Sequence, residues 1–98
     1  MPYIKQAERE AINAPLEELI GTLLDSYEEG TEDGALNYVV SRIVSEVLNP
    51  EMLPWRYADI ARAVAVFECA KLEFYDRIAR PKEDLAIQQN GDIPAYGA

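Results

Sequence analysis

Histidine is absent from this sequence of 98 residues, and cysteine and tryptophan occur once each. Without histidine, the commonest general base and the commonest zinc ligand are both missing. Serine and threonine are few, so an acyl-transfer triad cannot be assembled in its usual form. The lone Cys69 cannot close a disulfide within the chain. Set in an apolar helix, it reads as a small buried hydrophobe in a reduced, cytosolic setting. Long hydrophobic runs are also lacking: none reaches the roughly 20 residues that a spanning helix needs. Nor does Met1-Pro2-Tyr3-Ile4-Lys5-Gln6 have the apolar stretch and small-residue cleavage site of a signal peptide.

Positive charge is scarce. Nine Lys and Arg stand against 18 Asp and Glu, a formal net charge of −9. The excess is uneven: residues 1–50 hold three basic and ten acidic side chains, residues 51–98 six and eight. Such a chain repels nucleic acid at long range, which argues against a general DNA or RNA binder and leaves a DNA mimic as an alternative. An acidic surface is also a common route to solubility.

What is present fits one globular domain over residues 1–98, with 49% hydrophobic and 28% charged residues. Residues 1–12 read as an N-terminal arm. Asn13 then caps a helix with Pro15 in its first turn, where a missing N–H costs nothing. Leu16, Leu19, Ile20, Leu23, Leu24 and Tyr27 follow the spacing of one helical face. An acidic loop over residues 28–34, punctuated by Gly30 and Gly34, leads to a second helix, with Asp33 as candidate cap. Leu36, Val39, Val40, Ile43, Val44, Val47 and Leu48 give it a second apolar face, and Asn49-Pro50 stops it. Asn37 and Tyr38 beside that face are expected in a buried hydrogen bond or cap.

Met52, Leu53 and Trp55, in a connector fixed by Pro50 and Pro54, are expected to lid the core. The stretch from Tyr57 to Arg80 then contains neither glycine nor proline and is too apolar for a surface helix. It should end at Arg80, because Pro81 disfavours helix at the residue before it. Pro81 can open a short fourth helix closed by Asn90-Gly91, and residues 91–98 form a loose tail. The expected fold is all-α: a helical hairpin, a long central helix and a short C-terminal helix. Two short amphipathic helices cannot cover every apolar side of the third, so a homodimer or higher assembly should complete the core.

Two constellations could carry chemistry. Glu73 and Asp76, with Glu29 and Glu32 upstream, resemble the magnesium-binding carboxylates of all-α nucleotide pyrophosphohydrolases, which must converge on one ion. The plainer account pairs Glu73 with Arg77 and Asp76 with Arg80 at i, i+4. The second constellation is Arg56, Tyr57, Arg62, Lys71, Tyr75, Arg77, Arg80 and Lys82, which mixes guanidinium forks with aromatic rings. That mixture can line a nucleotide pocket, with Arg56, Tyr57, Arg62, Lys71, Tyr75 and Arg77 as the candidate ligand residues. It can equally be an ion-paired helix surface. No metal and no cofactor is required by either plain account.

The segments Met1-Pro2-Tyr3-Ile4-Lys5-Gln6, Leu36-Asn37-Tyr38-Val39, Glu68-Cys69-Ala70-Lys71-Leu72-Glu73-Phe74-Tyr75, Glu83-Asp84 and Asn90-Gly91-Asp92 occur in the order seen in a small phage-encoded family of unknown function. The sequence resembles that family along nearly its whole length. It departs from the pattern at Lys82, where an aromatic precedes Glu-Asp, and at Asp76, where a second basic residue stands. The resemblance implies a phage or prophage accessory protein in the host cytoplasm and carries no assigned activity; small phage accessory proteins commonly counter host defence, and that context suggests a non-enzymatic counter-defence role. Analogy of fold and context alone suggests sequestering of a nucleotide-type signal between subunits. Two other readings stay open: an acidic inhibitor of a basic host surface acting through the loop at residues 28–33 and the first helix, and a magnesium-dependent hydrolase acting through Glu73 and Asp76.

Overall fold

A computed structural model describes residues 2–26 and 28–97. Tyr27, expected on the first apolar face, lies outside the described residues, as do Met1 and Ala98. Among the described residues the fold is all-helical: α1 (Gln6–Ser26), α2 (Glu32–Leu48), α3 (Tyr57–Phe74), a π-helical turn (Tyr75–Ala79) and α4 (Arg80–Asn90). The chain divides into two compact units, Met1–Val64 and Ala65–Ala98.

In the first unit, α1 starts at Gln6 and not at an Asn13 cap. Gln6-Ala7-Glu8-Arg9-Glu10-Ala11 are strong helix formers, and their summed propensity carries the helix through Pro15. The start is fixed by the Lys5 carbonyl, which accepts from the N–H groups of Glu8 (3.0 Å) and Arg9 (3.1 Å). The Arg9 side chain adds a bond from Nε to the Ile4 carbonyl at 2.9 Å. Pro15 therefore lies in a helix interior, where it withholds one N–H and crowds the carbonyl of Ala11.

The α1–α2 loop turns at Gly30, whose φ of +92° suits a residue without Cβ. The Thr31 N–H and Oγ1 both donate to the Glu28 carbonyl, at 3.0 and 2.6 Å. Thr31, and not Asp33, is thus the residue at the N-cap, and its hydroxyl bonds backwards instead of capping. Glu32 and Asp33 sit inside the first turn of α2, where the macrodipole favours them.

Asn49 ends α2 and builds the connector. Its N–H donates to the Ser45 carbonyl at 2.9 Å. Its side chain brackets Leu53, accepting from the Leu53 N–H at 3.2 Å and donating to the Leu53 carbonyl at 2.8 Å. Within that bracket Met52 takes a left-handed conformation, φ +55°, which a non-glycine residue adopts only when its surroundings hold it. Met52, Leu53 and Trp55 do not lid a core; all three are exposed. The Arg56 carbonyl then receives the N–H groups of Asp59 and Ile60, both at 3.0 Å, and starts α3.

In the second unit the helix does not stop at Arg80. The Arg80 N–H reaches back five residues to the Tyr75 carbonyl, and helical backbone continues through Pro81 to Asn90. A π-turn inserts an extra residue into the hydrogen-bond ladder. Placed just before Pro81, which has no N–H to donate, it lets the chain stay helical where an unbroken α ladder would clash. Gly91, φ +85°, closes α4 with its N–H on the Ile87 carbonyl at 2.8 Å. Beyond it the Ile93 carbonyl accepts from Tyr96 and Gly97, at 2.9 and 3.1 Å, in a short turn.

No described residue is buried. Leu19 and Leu23 on α1, and Ala35, Val39, Val44 and Leu48 on α2, are half-buried. The remaining apolar positions of both helices are exposed, as are Val64, Phe67, Phe74 and Ile78 along the third helical run. Cys69 is exposed too, contrary to its expected place in a core.

Candidate functional site

Arg56 and Arg62 are brought together. They line one cavity of about 460 Å³ at the α2–α3 connector, with Asn49, Leu53, Glu51 and Asp59 among its other walls. Arg56 Nε lies 3.2 Å from Asp59 Oδ2, and the Asp59 side chain is only 22% exposed. Arg62 makes no ion pair among the described residues, so its guanidinium is the cavity's available cation. The lining carries two positive and two negative side chains. It therefore suits a ligand with an anionic end and hydrogen-bond donors, not a bare polyanion. Tyr57 is 92% exposed and does not line the cavity.

The other three sequence-predicted ligand residues belong to the second unit, and each is engaged there. Lys71 Nζ sits 3.3 Å from Glu68 Oε1, and Arg77 Nε 3.1 Å from Glu73 Oε1. The Arg80 guanidinium lies 5.3 Å from the Tyr75 ring centroid, a cation–π distance that fills one face of that ring. The Glu73–Arg77 pair is the one expected from i, i+4 spacing. Arg80, however, reaches Asp84 at 4.0 Å and not Asp76. Asp76 lies inside the π-turn, which shifts the register on which its pairing with Arg80 depends.

The carboxylates of the metal reading are likewise divided, with Glu29 and Glu32 in the first unit and Glu73 and Asp76 in the second. Among the described residues no group of three or more potential metal ligands forms. None of the helices described is long and apolar enough to cross a membrane.

Sequence reasoning missed one cluster. On α2, Arg42 grips Glu46 with two bonds, Nε to Oε2 at 2.6 Å and Nη2 to Oε1 at 3.2 Å. Its Nη1 donates to the Tyr38 hydroxyl at 3.3 Å, with the guanidinium 5.8 Å from the Tyr38 ring centroid. The hydrogen bond to Glu46, then that to Tyr38, raises the Arg42 pKa further above its usual range. The same bond from Arg42 holds the Glu46 carboxyl below the usual carboxylate range. These groups edge an open groove of about 410 Å³ whose other walls are Leu19, Val39, Ile43 and Val47. The available signal was Tyr38, Arg42 and Glu46 at i, i+4, i+8. Arg42 went unnoticed because it is the only basic residue of its helix. Asn37 accepts from Ser41 Oγ at 3.2 Å, and Tyr38 is exposed, so neither forms the buried bond or cap expected of it.

Residues 1–93 match a domain of unknown function, DUF6899. The chain belongs to the DUF6899 family. The match takes in the connector cavity, the α2 cluster and the ion-paired segment of α3 through α4, so all of these are part of the DUF6899 domain. No curated protein matches the chain, and no solved structure matches it.

Proposed function

We propose that this DUF6899 protein is a non-enzymatic accessory subunit that works by binding, and that further copies of itself complete its core. The observation that carries this reading is the exposure of its apolar surface. No described residue is buried, and within the first unit Leu36, Val40, Ile43 and Val47 of α2 are all exposed. Contiguous exposed apolar side chains of this kind mark surface that a partner covers. In the assembled form α1 and α2 pair as an antiparallel hairpin, and the partner covers what remains.

The ligand of this reading is a small nucleotide-type anion. Support comes from the cavity shared by Arg56 and Arg62. A phosphate would take Arg62, and amino groups of a base would take Glu51. Sequestering such a signal suits a phage-encoded counter-defence protein in a host cytoplasm, the origin that the sequence pattern implies. The test is a thermal-shift panel of cyclic and adenine nucleotides on the wild-type chain and on Arg62→Gln. Stabilisation of the wild type alone is the expected result. A panel that stabilises neither chain, or both equally, overturns the ligand assignment.

A further inference from the structure

We infer that Asn49 is the positioning residue of the connector cavity, and that nucleotide binding there is linked to closure of its bracket on Leu53; this rests on the ligand reading above. Among the described residues three have positive φ: Gly30, Gly91 and Met52. At the first two the chain uses glycine, which takes that conformation freely. Met52, at +55°, is the exception, and a methionine held there is strained. Such strain persists only where the surroundings impose it, and it gathers at ligand clamps and switches. Here Asn49 imposes it. Its side chain accepts from the Leu53 N–H at 3.2 Å and donates to the Leu53 carbonyl at 2.8 Å. Its own carbonyl accepts from the Met52 N–H at 3.2 Å.

The bracket is also a wall of the site. Asn49 and Leu53 line the cavity that holds Arg56 and Arg62, and with Met52 and Trp55 they line a second of about 430 Å³. All of these residues belong to the first unit. Arg62 is carried by α3, whose start is fixed at the Arg56 carbonyl. Between Leu53 and that start stand only Pro54, its φ locked by the ring, and Trp55. Opening the bracket lets Met52 relax and shifts the Asn49–Leu53 wall against the helix that carries Arg62. A nucleotide that needs both the guanidinium and that wall binds the closed form alone, so its apparent affinity scales with the closed fraction. Methionine at the strained position keeps the closed form incompletely populated until a ligand fills the cavity.

Calorimetric titration with adenosine monophosphate compares the wild type, Asn49→Ala, Met52→Gly and the double variant, with exchange of the Leu53 amide followed in the ligand-free chains. Asn49→Ala should weaken binding about tenfold, and Met52→Gly, which removes the strain, should tighten it about threefold. The double variant should recover to within about threefold of the wild type, because glycine adopts the turn without the bracket. Met52→Gly should also slow Leu53 exchange without ligand, a change that a damaged fold would not produce. Nucleotide binding by Met52→Gly but not by the wild type also supports the linkage, the closed form then being rare in the wild type. Wild-type affinity in Asn49→Ala overturns it. So does a double variant no better than Asn49→Ala alone, which is the behaviour of a direct contact or a purely structural residue. Leu53 exchange that is unchanged or faster in Met52→Gly overturns it without touching the ligand reading. If none of the four chains binds, the ligand reading fails and the linkage with it, and slower exchange in Met52→Gly then marks a two-state turn that serves no such ligand.

Discussion

Replacing Pro15 by alanine tests the helical path of the N-terminal region. Pro15 is an interior residue of the 21-residue α1, far from the first turn where proline is harmless. There it leaves the Ala11 carbonyl without its partner and presses its ring on the preceding turn. Proline in such a position costs about 3 kcal/mol relative to alanine. Some of that cost is relieved by local adjustment in an exposed helix, so a gain of about 2 kcal/mol is expected for Pro15→Ala. For a chain of this size that raises the melting temperature by roughly 10 °C. Circular dichroism melts at fixed protein concentration read the change. Ala11→Gly provides the complement, with an expected loss of about 1 kcal/mol in a helix interior. If Pro15→Ala changes nothing and Ala11→Gly is neutral, the helix begins near Asn13 and residues 6–12 are an arm after all.

Two further outcomes follow from particular bonds. Asn49→Ala removes both bonds to the Leu53 backbone and should cost about 1–2 kcal/mol, read as a lower urea midpoint with faster exchange of the Leu53 amide. Unchanged exchange at Leu53 would show that the bracket does not hold the connector. Because Arg42 depresses the Glu46 pKa, that carboxylate contributes stability above the ordinary carboxylate pKa and loses it as pH falls through the lowered folded value. Acid melts of the wild type should therefore steepen below about pH 4.5 more than those of Glu46→Gln. Identical acid profiles would mean that the pair contributes nothing, as many exposed pairs do.

The fold class was legible because apolar spacing and the Asn49-Pro50 stop are local signals, and α2 ends where they place its end. The start of α1 departs from the Pro15 signal because the favourable run from Gln6 to Ala11 outweighs it. The end of the third helix departs from its proline signal for a related reason. Pro81 does disfavour an α ladder, but the five-residue step from Arg80 to Tyr75 absorbs the missing N–H, and no residue type signals such a step. Among the candidate ligand residues, Arg56 and Arg62 share a cavity because the Asn49–Leu53 bracket shapes the connector around them. Lys71 and Arg77 fell to near neighbours on their own helix, a competition that spacing does reveal. Exposure was the least legible property. Apolar spacing marks which side chains want cover, and only the fold shows that Leu36, Val40, Ile43 and Val47 are exposed.

The central claim is that this helical chain is completed by copies of itself, and its molar mass in solution tests that most directly. Light scattering on the wild-type chain over a hundredfold range of concentration should give a whole multiple of 11.0 kDa, with two chains as the expected value. A constant 11.0 kDa across the range would contradict it.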